Sequence, residues 1–199
     1  NFGVFLMKDL PLLQKCLSEI KNNSSVPVTV KCRIGVDELE GNVFLDNFIR
    51  RLKDTGIKTF IVHARKAISG LDTKRNRSIP PLLYKEVYNI KQNHSDTEII
   101  LNGGITSHDE INHHIAYVDG VMLGRKIYSD PSFLLSVDNK IFNVQTSFSV
   151  DQALMNFMKY ILKLDNRKDA NRAINHLMQF IKSLTIEKNK RKALLEELN

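Results

Sequence analysis

Lys31, His63, the Asn102-Gly103-Gly104 triplet and the Gly124-Arg125 pair each close an apolar run of the chain. These residue types suit recognition of an anionic ligand. Lysine and arginine supply counter-charge. Histidine supplies a hydrogen-bonding ring. Glycines let bare backbone approach a ligand, and main-chain N–H groups at a helix start donate to phosphate oxygens. A second group of cations, Arg65, Lys66, Lys74, Arg75 and Arg77, crowds one long connection. Each feature also has a plainer reading. The glycines then make only a tight turn, Lys31 reaches out to water, His63 is a satisfied core histidine, and the basic run is a solvated loop.

The elements that must position these residues follow from periodicity. Apolar groups at Leu10, Leu13, Leu17 and Ile20 have helical spacing over 9–22, with Asp9 as N-cap and Pro11 in the first turn. VPVTVKCRIG, residues 26–35, is a β-branched strand. Residues 42–55 are helical, with Val43, Phe44, Phe48, Ile49 and Leu52 inward and Gly56 as C-cap. KTFIVHAR (58–65), a helix over 82–93, strand 98–102, helix 107–115 and strand 119–123 complete the series. Strand and helix thus alternate with constant phase, which predicts a parallel sheet with apolar strands covered on both faces. In such folds ligands lie at the carboxyl ends of strands, where the residues above fall. Cys32 alternates with Lys31, faces the other way, and is read as packing. The pattern fits half of an eight-stranded (β/α) barrel, with an open doubly wound sheet as competitor. Residues 132–142 read as a last helix packed on the sheet, 143–149 as a polar linker, and 150–164, 169–184 and 187–198 as helices only.

Composition narrows the function classes. The 199 residues are 42% hydrophobic and 26% charged, which is ordinary for a globular protein. No apolar run is long enough to span a membrane, and no secretory leader is visible. The two cysteines, Cys16 and Cys32, have no metal-ligand spacing and suit a reducing, cytoplasmic compartment. A net charge of +7 favours polyanionic partners.

Five motifs in order, VPVTVKCRIG, FIVHARKA, NRSIPPL, ILNGGI and DGVMLGR, resemble the tRNA-dihydrouridine synthases, most closely the A-type bacterial-like branch. The resemblance spans residues 1–143. It implies the second half of an FMN-binding TIM barrel over 1–143 and a helical tRNA-binding domain over 144–199. By the same resemblance Lys31, His63, Asn102, Gly103, Gly104, Gly124 and Arg125 hold FMN. Arg65, Lys66, Lys74, Arg77, Arg172 and Asn175 meet tRNA. The reaction implied is reduction of a D-loop uridine at its C5=C6 bond, with NADPH as reductant and a cysteine as general acid. That cysteine's Asn-x-Gly-Cys-Pro context is absent. The chain therefore reads as starting just past it, inactive alone and monomeric when full length. Two alternatives stay open: another FMN barrel oxidoreductase acting on a small molecule, and a non-catalytic tRNA-binding fragment.

Overall fold

A computed structural model describes residues 3–145 and 147–183. The helix expected over 187–198 lies outside the described residues, as does Leu184 at the end of the one before it. The chain forms two compact units, Asn1–Leu123 and Gly124–Asn199.

The first unit is built on four strands, β1 (Val30–Arg33), β2 (Thr59–His63), β3 (Glu98–Asn102) and β4 (Gly120–Met122). All neighbours are parallel, in the order β1-β2-β3-β4. Helices α1 (Leu10–Asn22), α2 (Asn42–Lys53), α3 (Tyr84–Asn93) and α4 (His108–Ile115) alternate with them. The order of these four strands is strictly sequential, which is consistent with part of a TIM barrel.

Strand β1 is shorter than its β-branched run suggests. Val30 pairs with Phe60 one residue into β2, so Val26–Thr29 find no ladder partner, and Pro27 has no N–H to offer. Past Arg33 the chain folds sharply, with Val36 N–H donating to Leu39 O at 2.8 Å. A Cβ on Gly35 would sit 2.5 Å from that same oxygen.

Register sorts the side chains. Val30, Phe60 and Ile99 form one row, and Cys32, Val62 and Leu101 the next; all are buried. Leu45, Phe48, Ile49 and Leu52 of α2 and Val87 and Ile90 of α3 are buried as well. Burying each such side chain stabilises by about 1.5–3 kcal/mol. Val43, expected inward, is 86% exposed, because the buried stripe of α2 begins at Leu45. The opposite sheet face aligns Lys31, Ile61, Ile100 and Gly120, then Arg33, His63, Asn102 and Met122. This face is the partly exposed one, contrary to the expectation of cover on both sides.

The second unit contains α5 (Arg125–Ser129), a 3-10 helix Pro131–Ser136, α6 (Val137–Phe142), α7 (Val150–Ile161) and α8 (Arg167–Ser183). The single helix expected over 132–142 is thus split, and it ends where Asn143 adopts φ 54°. Ser149 and Gln152 form a capping box at α7. Leu154, Leu177 and Ile181 form the buried cluster between α7 and α8.

His114 of α4 is buried, with Nδ1 2.6 Å from the Tyr88 hydroxyl and its ring 4.5 Å from that of Tyr84. Burial, reinforced by His113, holds its pKa below the ordinary 6.5, against a weaker upward pull from Glu110. The unfolded chain therefore binds the extra proton, and stability is lost as pH falls below about 6.5. Urea midpoints measured between pH 8 and 5.5 should drop more for the wild type than for His114→Gln. Equal slopes would show that His114 titrates normally.

Candidate functional site

The carboxyl ends of the strands bring Lys31, His63, Asn102, Gly103 and Gly104 together. Lys31 Nζ donates to Asn102 Oδ1 at 3.0 Å, reaching across β2. Asn102 Nδ2 donates to Met122 O at 2.8 Å, and Asn102 O accepts from Ala64 N–H at 2.9 Å. The carboxamide is therefore fixed with its oxygen toward the lysine. Partial burial lowers the Lys31 pKa, and the nearby Arg33 charge adds to this.

Gly103 has φ 126° and Gly104 φ 73°, both in the region that disfavours side chains. A Cβ on Gly103 would lie 2.7 Å from Leu82 Cδ2 and 2.8 Å from His63 Cδ2. On Gly104 it would lie 2.6 Å from Leu82 Cδ1 and 2.9 Å from Tyr84 Oη. Tyr84 Oη donates to Gly103 O at 2.9 Å. The glycines thus make a turn and at the same time hold the His63 imidazole against the backbone beside Asn102. Sequence reasoning missed Tyr84 and Leu82, because nothing local marks them as partners of a turn about twenty residues on.

The helix start after these glycines was expected to offer main-chain donors to an anion. Three of the main-chain donors around it, Thr106, Ser107 and Glu110 N–H, are already engaged within the capping box. Glu110 accepts from Thr106 N–H at 2.7 Å and Ser107 N–H at 3.0 Å, and Ser107 Oγ caps Glu110 N–H. These bonds, with the Thr106 N–H foremost, keep the Glu110 pKa low. The Ser107-x-x-Glu110 spacing was the signal for this capping box.

The basic connection is an ordered loop. Arg33, half-buried, donates to the carbonyls of Lys66 and Asn76, each at 2.9 Å. Asn76 is the hub: its side chain bonds Ile68 N, Ile68 O and Leu71 O at 2.8–2.9 Å. Arg65 donates to Ser78 O at 3.2 Å and to Pro80 O. Lys66 pairs with Glu40 at 2.7 Å. Lys74, Arg75 and Arg77 are exposed. A cavity of about 450 Å³ opens beside this loop, lined by Val4, Phe5, Arg33, Ser69 and Asn76 among others.

Gly124 and Arg125 begin the second unit, as the N-cap and first residue of α5, and both are exposed. Gly124 has φ −121° and no atom within 4 Å of an added Cβ, so neither conformation nor crowding demands glycine there. Arg172 is exposed, 3.5 Å from Asp169, and Asn175 is exposed. Among the described residues no cluster of His, Cys, Asp and Glu could hold a metal ion, and no helix is long and apolar enough to cross a membrane.

The fold is that of a parallel β/α protein with polar side chains gathered at the carboxyl ends of its strands. The dihydrouridine synthase family model matches residues 1–199, and the chain belongs to that family. It is 43% identical over 143 residues to a tRNA-dihydrouridine(20/20a) synthase of Pasteurella multocida, covering 71% of this chain and 44% of the relative. The enzyme of that name from Haemophilus ducreyi is 39% identical over 180 residues, 89% of this chain and 55% of the relative. That of Shewanella oneidensis is 36% identical over 189 residues, 92% and 56%. The chain spans about half the length of the curated relatives it matches.

The glycine turn gives a direct test. Gly104→Ala must place a methyl against Tyr84 and Leu82 at positive φ. Chemical denaturation should show a loss above about 1 kcal/mol. A loss below about 0.3 kcal/mol would mean that the turn relaxes freely.

Proposed function

We propose that this chain is the flavin-binding and tRNA-binding part of a tRNA-dihydrouridine synthase. Residues 1–143 form the second half of its TIM barrel and 144–199 a helical domain that meets tRNA. The observation that carries the reading is the join of Lys31, Asn102, His63 and Gly103 on one sheet face, a cation and an imidazole beside bare backbone.

FMN, when bound, supplies the hydride that reduces the uracil C5=C6 bond, with NADPH as its source of electrons. Lys31 donates to the electron-rich edge of the ring system, and Asn102 holds its ammonium in place. His63, set against Gly103, donates to the same ligand. Gly103 and Gly104 let backbone close on the phosphate, and Gly124 and Arg125 hold FMN by the family resemblance alone. Neither Cys16 nor Cys32 serves as proton donor: Cys16 lies on α1, and burial pushes the Cys32 thiol up to about 12 while it faces the helices. Lys74 and Arg77, exposed on a loop braced by Arg33, Arg65, Lys66 and Asn76, meet RNA phosphates, as do Arg172 and Asn175. Such contacts position the substrate and weaken with salt.

The test uses the full-length chain. It should purify yellow and restore dihydrouridine, read by mass spectrometry, in tRNA from a strain lacking the modification. Lys31→Ala and His63→Ala should each retain less than about a tenth of the flavin while still binding tRNA. A colourless protein that neither oxidises NADPH nor modifies tRNA would overturn the proposal.

A further inference from the structure

The second unit carries an aromatic contact that its core does not need. Tyr128 on α5 is 60% exposed, and its ring meets the His176 imidazole edge-on, with centroids 5.9 Å apart and planes at 83°. His176 is itself exposed. Helix α8 turns Ala173, Leu177 and Ile181 inward. Lys168, Arg172, Asn175 and His176 share its other side and are all exposed. Arg172 pairs with Asp169 at 3.5 Å with both side chains at least half exposed, a weak hold from which its guanidinium is easily redirected. An exposed tyrosine ring set edge-on against His176, on a helix whose exposed side also carries Lys168 and Arg172, offers the parts that bind unpaired bases. The ring offers a face for stacking, and the cations take the flanking phosphates.

We propose that Tyr128, steadied by His176, is a stacking platform for an unpaired base of RNA, with Lys168 and Arg172 on the adjacent phosphates. This rests on the reading of the chain as a tRNA-acting protein and adds to it an aromatic contact beside the charged ones. The competing account is a strut: Tyr128 would merely tie α5 to α8. Stacking and packing separate by substitution. Phenylalanine keeps both, leucine keeps bulk without a π-face, and neither alters charge.

The experiment measures binding of an unmodified tRNA transcript to the full-length protein at several salt concentrations. Tyr128→Leu should weaken binding by about 5- to 150-fold, the usual effect of losing one stacked base, with the salt slope unchanged. Tyr128→Phe should bind within twofold of wild type. Arg172→Ala should lower the salt slope by about one. In Tyr128→Trp, the added indole emission should change on tRNA addition; these 199 residues contain no tryptophan. Wild-type binding by a flavin-retaining Tyr128→Leu protein would overturn the platform while leaving the reductase reading intact. So would equal losses for the phenylalanine and leucine variants, which would assign the effect to the hydroxyl. If Tyr128→Leu does not fold, an indole signal indifferent to tRNA overturns the platform. A wild type that does not bind tRNA overturns the platform and the reading together.

Discussion

Everything at the candidate site depends on the in-register pairing of four parallel strands. A parallel ladder with no slip puts every second residue of each strand on the same face. One face therefore reads Val30, Phe60, Ile99 and then Cys32, Val62, Leu101, a continuous apolar layer for the helices. The other necessarily collects Lys31, Arg33, His63 and Asn102. A one-residue shift of any strand would bury its polar end group in the apolar layer. The stability of the core and the convergence of the site are thus one constraint seen from two sides.

The two ends of the strands solve different problems. At the amino ends charges are matched. Lys53 meets Asp96 at 2.6 Å, Lys91 meets Asp119 at 2.9 Å, and Asp119 also accepts from Ile99 N–H. Lys91 further donates to Ser95 O and Thr97 O. At the carboxyl ends the Lys31 ammonium donates to a neutral amide instead of a carboxylate, in surroundings that lower its pKa. Among the described residues no carboxylate pairs with Lys31, and a cation held only by a neutral amide suits an anionic ligand.

Much of this was legible from residue order. Gly103 and Gly104, the polar strand ends and the alternation of strand and helix rest on local chemistry and on periods of two and 3.6, which short windows display. The Ser107-x-x-Glu110 cap was equally local, yet its consequence, a helix start already supplied with a carboxylate, emerges only from the bonds Glu110 makes. Long-range clamps were not legible. Arg65 looks like a surface cation, but its guanidinium grips carbonyls thirteen and fifteen residues on. Asn76 sits unremarked inside a basic run and turns out to organise it. The length of β1 was hidden too, since it is set by where β2 begins rather than by the β-branched residues of β1.

The proposed division between a structural amino end and a ligand-binding carboxyl end is tested most directly by exchanging one lysine at each. In the full-length protein, Lys31→Met should lose co-purifying flavin while the flavin-free protein unfolds at an unchanged or higher urea concentration. Lys91→Met should keep its flavin and lose more than about 1 kcal/mol of stability. Full flavin occupancy in Lys31→Met, measured by absorbance after gel filtration, would contradict the assignment.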